Sequence, residues 1–172
     1  MTDRPIIAIS SCILGQPVRY DGKIKHYPEL CQQLEAHFNL LPVCPETEIG
    51  LGVPRPAVQL TGDPRQPHMT GRDDSSINIT DIMHHYCSTK LLSLTHISGY
   101  VFKSRSPSCG LDHIPVFNNQ QIIADNNSGL FADSVIKQYP ALPITDETRL
   151  EHEQHRETFI QQVLDYYAKQ PN

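Results

Sequence analysis

The sequence has no apolar run long enough to cross a bilayer. Near its start only PIIAIS qualifies as apolar, preceded by Asp3 and Arg4, whereas a membrane helix needs about 20 such residues. The layout of a secretory signal is missing too. A cytoplasmic location is therefore expected, where thiols stay reduced. There is no surplus of positive charge: 14 Lys and Arg stand against 19 Asp and Glu, for a net charge of -5. That balance argues against bulk nucleic acid as a partner and leaves a small molecule as the default. No P-loop and no G-x-G-x-x-G are present, which argues against nucleoside triphosphates and dinucleotides. His152 and His155 lie three apart in EHEQH, not in the H-E-x-x-H zinc pattern, and are read as a polar outer helix face.

Cysteine is present but in no familiar arrangement. Five is an odd number, and the spacings suggest no disulfide framework. The C-x-x-C pairs of structural zinc sites are absent. So are the close spacings of ferredoxins and the tight three-cysteine cluster of radical enzymes that cleave S-adenosylmethionine.

At 172 residues the chain suits one domain, 1–172. Pro5–Ser10 reads as a buried strand, and Tyr27–Phe38 as a helix with Leu30, Leu34 and Phe38 on one face. Leu40–Val43 is a second strand. Glu46–Ser76, rich in Pro and Gly, reads as a long ordered loop. Thr80 is the expected N-cap of a helix carrying Ile82, Met83, Tyr86, Leu91 and Leu94; His84 and His85 on it should divide between surface and core. Tyr100–Phe102 is a third strand, and a hairpin is expected around Ile122 and Ile123. A helix over about 129–137 turns Leu130, Phe131 and Ile136 inward. Leu142–Thr145 is a fourth strand. A last helix over about 148–168 should bury Phe159, Ile160, Val163, Leu164 and Tyr167. Strand and helix in alternation predict an α/β fold, a single domain with a mainly parallel sheet flanked by helices.

Cys12, Cys44 and Cys109 each follow the C-terminal end of a predicted strand. In an open parallel sheet those ends face one crevice, where ligands bind. Ser11, Gly15, Pro45, Pro107, Ser108 and Gly110 flank them, residues that fix turns and leave N–H groups free to bond sulfur. Cys31 and Cys87 sit within helical patterns and read as packing. Three buried thiols, a zinc site completed by a histidine, and an iron–sulfur centre are the competing readings. A 4Fe-4S cluster on three cysteines leaves one iron not ligated by protein, and an open coordination position is a place for chemistry.

Three segments carry a resemblance: SSCILGQPVRYDG (Ser10–Gly22), PVCPETEIGLGVPRP (Pro42–Pro56) and FKSRSPSCGL (Phe102–Leu111). In this order they resemble the thiouracil desulfurase (TudS-like) family, closest to the first domain of its 4-thiouridine branch. The resemblance implies Cys12, Cys44 and Cys109 as ligands of a 4Fe-4S cluster. It implies Glu46 and Ser106 as catalytic residues, and Asp21 as a residue that places substrate or supports the site. Hydrolytic desulfuration follows as the expected activity, on a thiolated pyrimidine base, nucleoside or nucleotide. Glu46 would be the general base, most effective where burial raises its pKa. Arg19, Arg55, Lys103 and Arg105 lie in or beside the motifs and could hold a substrate or its phosphate. The alternative function is an iron–sulfur sensor built on the same cysteines.

Overall fold

A computed structural model describes residues 4–170. Its first sheet is wholly parallel, in the order β2 (Asn39–Val43), β1 (Ile6–Ser10), β5 (Gly99–Phe102), β8 (Ile144–Asp146). The second is mixed: β4 (His68–Gly71), β3 (Val58–Thr61), β6 (Ile114–Asn118), β7 (Gln121–Asn127). The described residues also form five α-helices: α1 (Pro28–Glu35), α2 (Pro45–Glu48), α3 (Thr80–Ser93), α4 (Leu130–Gln138) and α5 (Glu153–Lys169). The α/β fold with a parallel sheet flanked by helices is thus as expected; the second sheet is an addition to it.

Strands β1 and β5 lie between neighbours and are covered on both faces, so they read as continuous apolar runs. The two-residue period divides their side chains. Ile7, Ile9 and Val101 join Leu34, Phe38, Phe159 and Val163 in one core, against α1 and α5. Ala8, Tyr100 and Phe102 join Met83, Leu91, Phe131 and Val135 in the other, against α3 and α4. Gly99 is required at the crowded contact with α5, because a Cβ there would lie 2.7 Å from Val163 Cγ2.

Several expectations are corrected. The stretch 46–76 is not simply a loop: it forms α2 and the antiparallel pair β3–β4, with Leu60 facing Met69. Each of these four-residue strands sends one side chain into the core, Leu60 and Met69, both fully buried. Thr80 is the first residue of α3 rather than its cap. Ile79 holds the cap position without a side-chain bond, and Asn78 before it accepts from the Thr80 N–H through Oδ1 at 3.0 Å. His84 and His85 are both exposed. The last helix begins at Glu153, after a separate 3-10 turn at Arg149–Glu151. Of its expected core residues, Phe159 and Val163 are buried, while Leu164 and Tyr167 are exposed. No helix among the described residues is long and apolar enough to cross a membrane.

Candidate active site

Parallel alignment of β2, β1 and β5 sends their C-terminal ends to one side of the sheet. Cys12 follows β1 by two residues and Cys44 follows β2 directly. Cys109 comes seven residues after β5, on a turn that needs its own support. The hydroxyl of Ser106 accepts the N–H groups of Ser108 and Cys109, at 3.2 and 3.0 Å. Beyond that turn starts α4, whose first N–H groups have no partner within the helix. Leu130 donates to the carbonyl of Pro107 at 3.0 Å, and Phe131 and Ala132 donate to that of Ser108 at 3.0 and 3.1 Å. Gly129 permits this approach, since a Cβ there would lie 2.5 Å from the Ser108 carbonyl carbon.

The three thiols line one cleft of about 410 Å³ together with Glu46, Arg19, Arg55, Lys103, Ser106 and Ser108. A larger groove, about 790 Å³, runs beside Leu142 and Tyr166, but it contains no cysteine. Within the cleft the thiols influence one another's charge. Burial pushes Cys12 up to about 11; Lys103 is the strongest opposing influence, and Cys44 adds to the rise. Cys109 is raised well above an ordinary thiol by burial, then by Cys12, Cys44 and Glu46, with the Ser10 hydroxyl working against them. Cys31 and Cys87 are buried in the two cores, away from the cleft. Among the described residues no three His, Cys, Asp or Glu side chains could share a single metal ion. A polynuclear centre takes each thiolate on a different metal and so does not need three donors around one ion.

Glu46 stands at the cleft with both oxygens oriented. Arg55 donates to Oε2 through Nε at 2.8 Å, with Nη2 in ion-pair contact with the same oxygen at 2.8 Å, and the Ser108 hydroxyl donates to Oε1 at 2.8 Å. The side chains of the pair are only 7% and 13% exposed. The apolar surroundings expected for this carboxylate are replaced by an arginine partner. Arg55 and Ser108 are thus the residues that hold Glu46. Both lie in the quoted motifs, but only the fold brings them to it.

Asp21 does not line the cleft. It accepts from Arg19 Nε and Nη2 at 3.1 and 3.0 Å and from the Lys23 N–H at 3.1 Å. The Arg19 hydrogen bonds hold its carboxyl down at about 2. It is Arg19, so braced, that reaches the cleft wall. Lys103 is paired with Glu147, a carboxylate 1% exposed that sequence reasoning missed. Glu147 also accepts from the N–H and hydroxyl of Ser104, at 2.8 and 2.7 Å. It follows β8, so the fourth strand contributes a charge where the other three contribute thiols. Of the four candidate cations, Arg105 alone has no carboxylate or other partner among the described residues; it lines the cleft exposed, at φ 59°. Lys25 joins it on the cleft lining, 5.5 Å from the Tyr27 ring centroid.

An α/β domain with three thiols and an oriented carboxylate at its strand ends can hold a sulfur-ligated metal centre and move a proton beside it. The model of the 2-thiouracil desulfurase family matches residues 7–147, and the chain belongs to that family. A solved structure described as the 4Fe-4S-dependent thiouracil desulfidase TudS superposes with a TM-score of 0.63. It is 23% identical, and the match covers 90% of this chain and 99% of that one. At that identity the likeness speaks for the fold. Among curated proteins none matches the chain.

Proposed function

We propose that this chain desulfurates thiolated pyrimidines hydrolytically, with a 4Fe-4S cluster on Cys12, Cys44 and Cys109 and with Glu46 as general base. The observation that carries the reading is the convergence of three thiols and one oriented carboxylate in a single cleft. The donor set fits the cluster: soft thiolates suit iron–sulfur centres, and three from this chain leave one iron open. Burial and mutual repulsion disfavour three thiolates here, and binding to a cationic centre is what overcomes both. When bound, the cluster supplies a soft Lewis-acid position for a thiocarbonyl sulfur.

The rest is work for the chain's own side chains. Arg55 occupies Oε2 of Glu46 with one hydrogen bond and an ion-pair contact, and Ser108 takes one lone-pair site of Oε1. The second site of Oε1 stays available to accept a proton from water. The water oxygen then bonds to the ring carbon that carries sulfur. Collapse of the resulting tetrahedral carbon restores a carbonyl, breaks the C–S bond and releases hydrosulfide, so oxygen replaces sulfur with no net redox change. Ser106 uses its oxygen to shape the Cys109 turn and keeps its hydroxyl proton to donate to the ring or the departing sulfur. Arg105 and Lys25 stand on the cleft lining as partners for the phosphate of a nucleotide substrate.

The test is anaerobic reconstitution followed by incubation with 2-thiouracil, 4-thiouracil, 4-thiouridine and its monophosphate. Loss of the thiocarbonyl absorbance with release of sulfide is expected for at least one of them. A fully loaded protein inert toward all four would defeat the reading. Glu46→Gln should keep iron and sulfide contents and lose roughly 10²- to 10⁴-fold in turnover, the usual contribution of a general base.

A further inference from the structure

Among the described residues one buried side-chain oxygen has no hydrogen-bond partner, the hydroxyl of Tyr100. Tyr100 lies in β5 and is fully buried. Its ring stacks on Phe102 with centroids 3.8 Å apart and meets Phe131 edge-on at 6.0 Å. Phenylalanine would fill this space equally well without the desolvation cost of an orphaned hydroxyl. An oxygen retained in such a place calls for a partner.

The surroundings indicate which one. The register of β5 turns Tyr100 toward the core that contains Cys109, while Val101 faces the other core. The ionisable groups bearing on the hydroxyl are Cys109 first, then Tyr86, Glu48 and Cys44. Tyr86 and Glu48 bond to one another and not to Tyr100. The Tyr86 hydroxyl donates to Glu48 Oε2 at 2.8 Å, Lys90 Nζ donates to the same oxygen at 2.8 Å, and the Cys44 N–H donates to Oε1 at 3.2 Å. Cys109 shares the core of Tyr100 and is the ionisable group that bears on its hydroxyl most strongly. A neutral thiol is a poor acceptor, but a metal-bound thiolate takes stronger, charge-assisted bonds.

We propose that the Tyr100 hydroxyl is a built-in hydrogen-bond donor to the sulfur of Cys109 in the cluster-loaded protein, a positioning residue that steadies and tunes the iron–sulfur centre from its buried side. The inference rests on the cluster reading above. In the metal-free chain the hydroxyl is idle; in the loaded protein it stabilises the more electron-rich state of the centre, as hydrogen bonds to cluster sulfur do.

Tyr100→Phe tests this in both states. The metal-free variant should unfold at the same or a higher urea concentration than the parent, since it sheds an unpaired buried hydroxyl. The loaded variant should lose iron to a chelator roughly fivefold faster, the worth of about one hydrogen bond, and its cluster should have a more negative reduction potential. A metal-free variant less stable than the parent would overturn the inference, because the hydroxyl would then already have a partner. Equal chelation rates and equal potentials in the loaded proteins would also overturn it. If the parent itself takes up no iron and sulfide, the cluster reading fails and the donor role falls with it. A loaded parent with an indistinguishable variant removes the donor role alone.

Discussion

Glu147→Ala should be among the most damaging substitutions outside the thiol set, although it changes no predicted catalytic residue. The carboxylate is 1% exposed and pairs with a Lys103 side chain that is 14% exposed. It also satisfies the Ser104 N–H at 2.8 Å and hydroxyl at 2.7 Å. Without it, the Lys103 ammonium retains only the Ser104 carbonyl and hydroxyl, both at 3.3 Å. The Ser104 N–H is left without an acceptor. Breaking one side of such a pair costs about 3–5 kcal/mol, against a total stability of about 5–15 kcal/mol for an ordinary domain. With a urea slope of about 2 kcal/mol per molar, the unfolding midpoint should fall by about 1.5–2.5 M. The assay is equilibrium urea unfolding of metal-free, reduced protein, followed by far-ultraviolet circular dichroism. Lys103→Met combined with Glu147→Ala should recover part of the loss, because the unpaired buried charge is gone. A single-variant loss below about 1 kcal/mol, the scale of exposed ion pairs, would refute the reasoning. So would a double variant no more stable than Glu147→Ala.

Three further outcomes follow from the geometry. In metal-free protein Cys12 should alkylate slowly near neutrality and accelerate toward a midpoint of about 11, measured by mass spectrometry of iodoacetamide adducts. Because this folded value lies above the ordinary thiol value of 9.0, the neutral Cys12 thiol supports the metal-free fold fully below about pH 9. That contribution is lost as pH rises toward 11, and a flat urea midpoint over this range would contradict it. Gly129→Ala should shift the Ser108–Cys109 backbone, since the new Cβ would meet the Ser108 carbonyl carbon at 2.5 Å. The expected readout is a loss of iron content after reconstitution larger than the loss of helix content.

The local motifs were legible because their chemistry is local. Ile6–Ser10 is apolar without alternation, as a strand covered on both faces must be. Cys12, Cys44 and Cys109 could be assigned to one crevice because parallel strands send their C-terminal ends the same way. The pair β3–β4 was not legible. Its four-residue strands sit among prolines and glycines, and their order comes from partners at Gly71, Thr70, Met69 and His68, not from a pattern of their own. Leu164 and Tyr167 misled for a related reason: the helical period gives a stripe, but the neighbouring elements set how wide a stripe is covered.

The sequence by itself determined which atoms are available for the chemistry, three thiols on three strand-end turns and a carboxylate two residues after one of them. Tertiary structure decided what those atoms face. It set Arg55 and Ser108 on Glu46, gave Lys103 to Glu147 and left the Tyr100 hydroxyl without a partner in the core that contains Cys109. The reason is physical. A turn is fixed by the few residues that form it, whereas several of these partnerships join segments tens of residues apart and exist only once two sheets and five helices have closed around them.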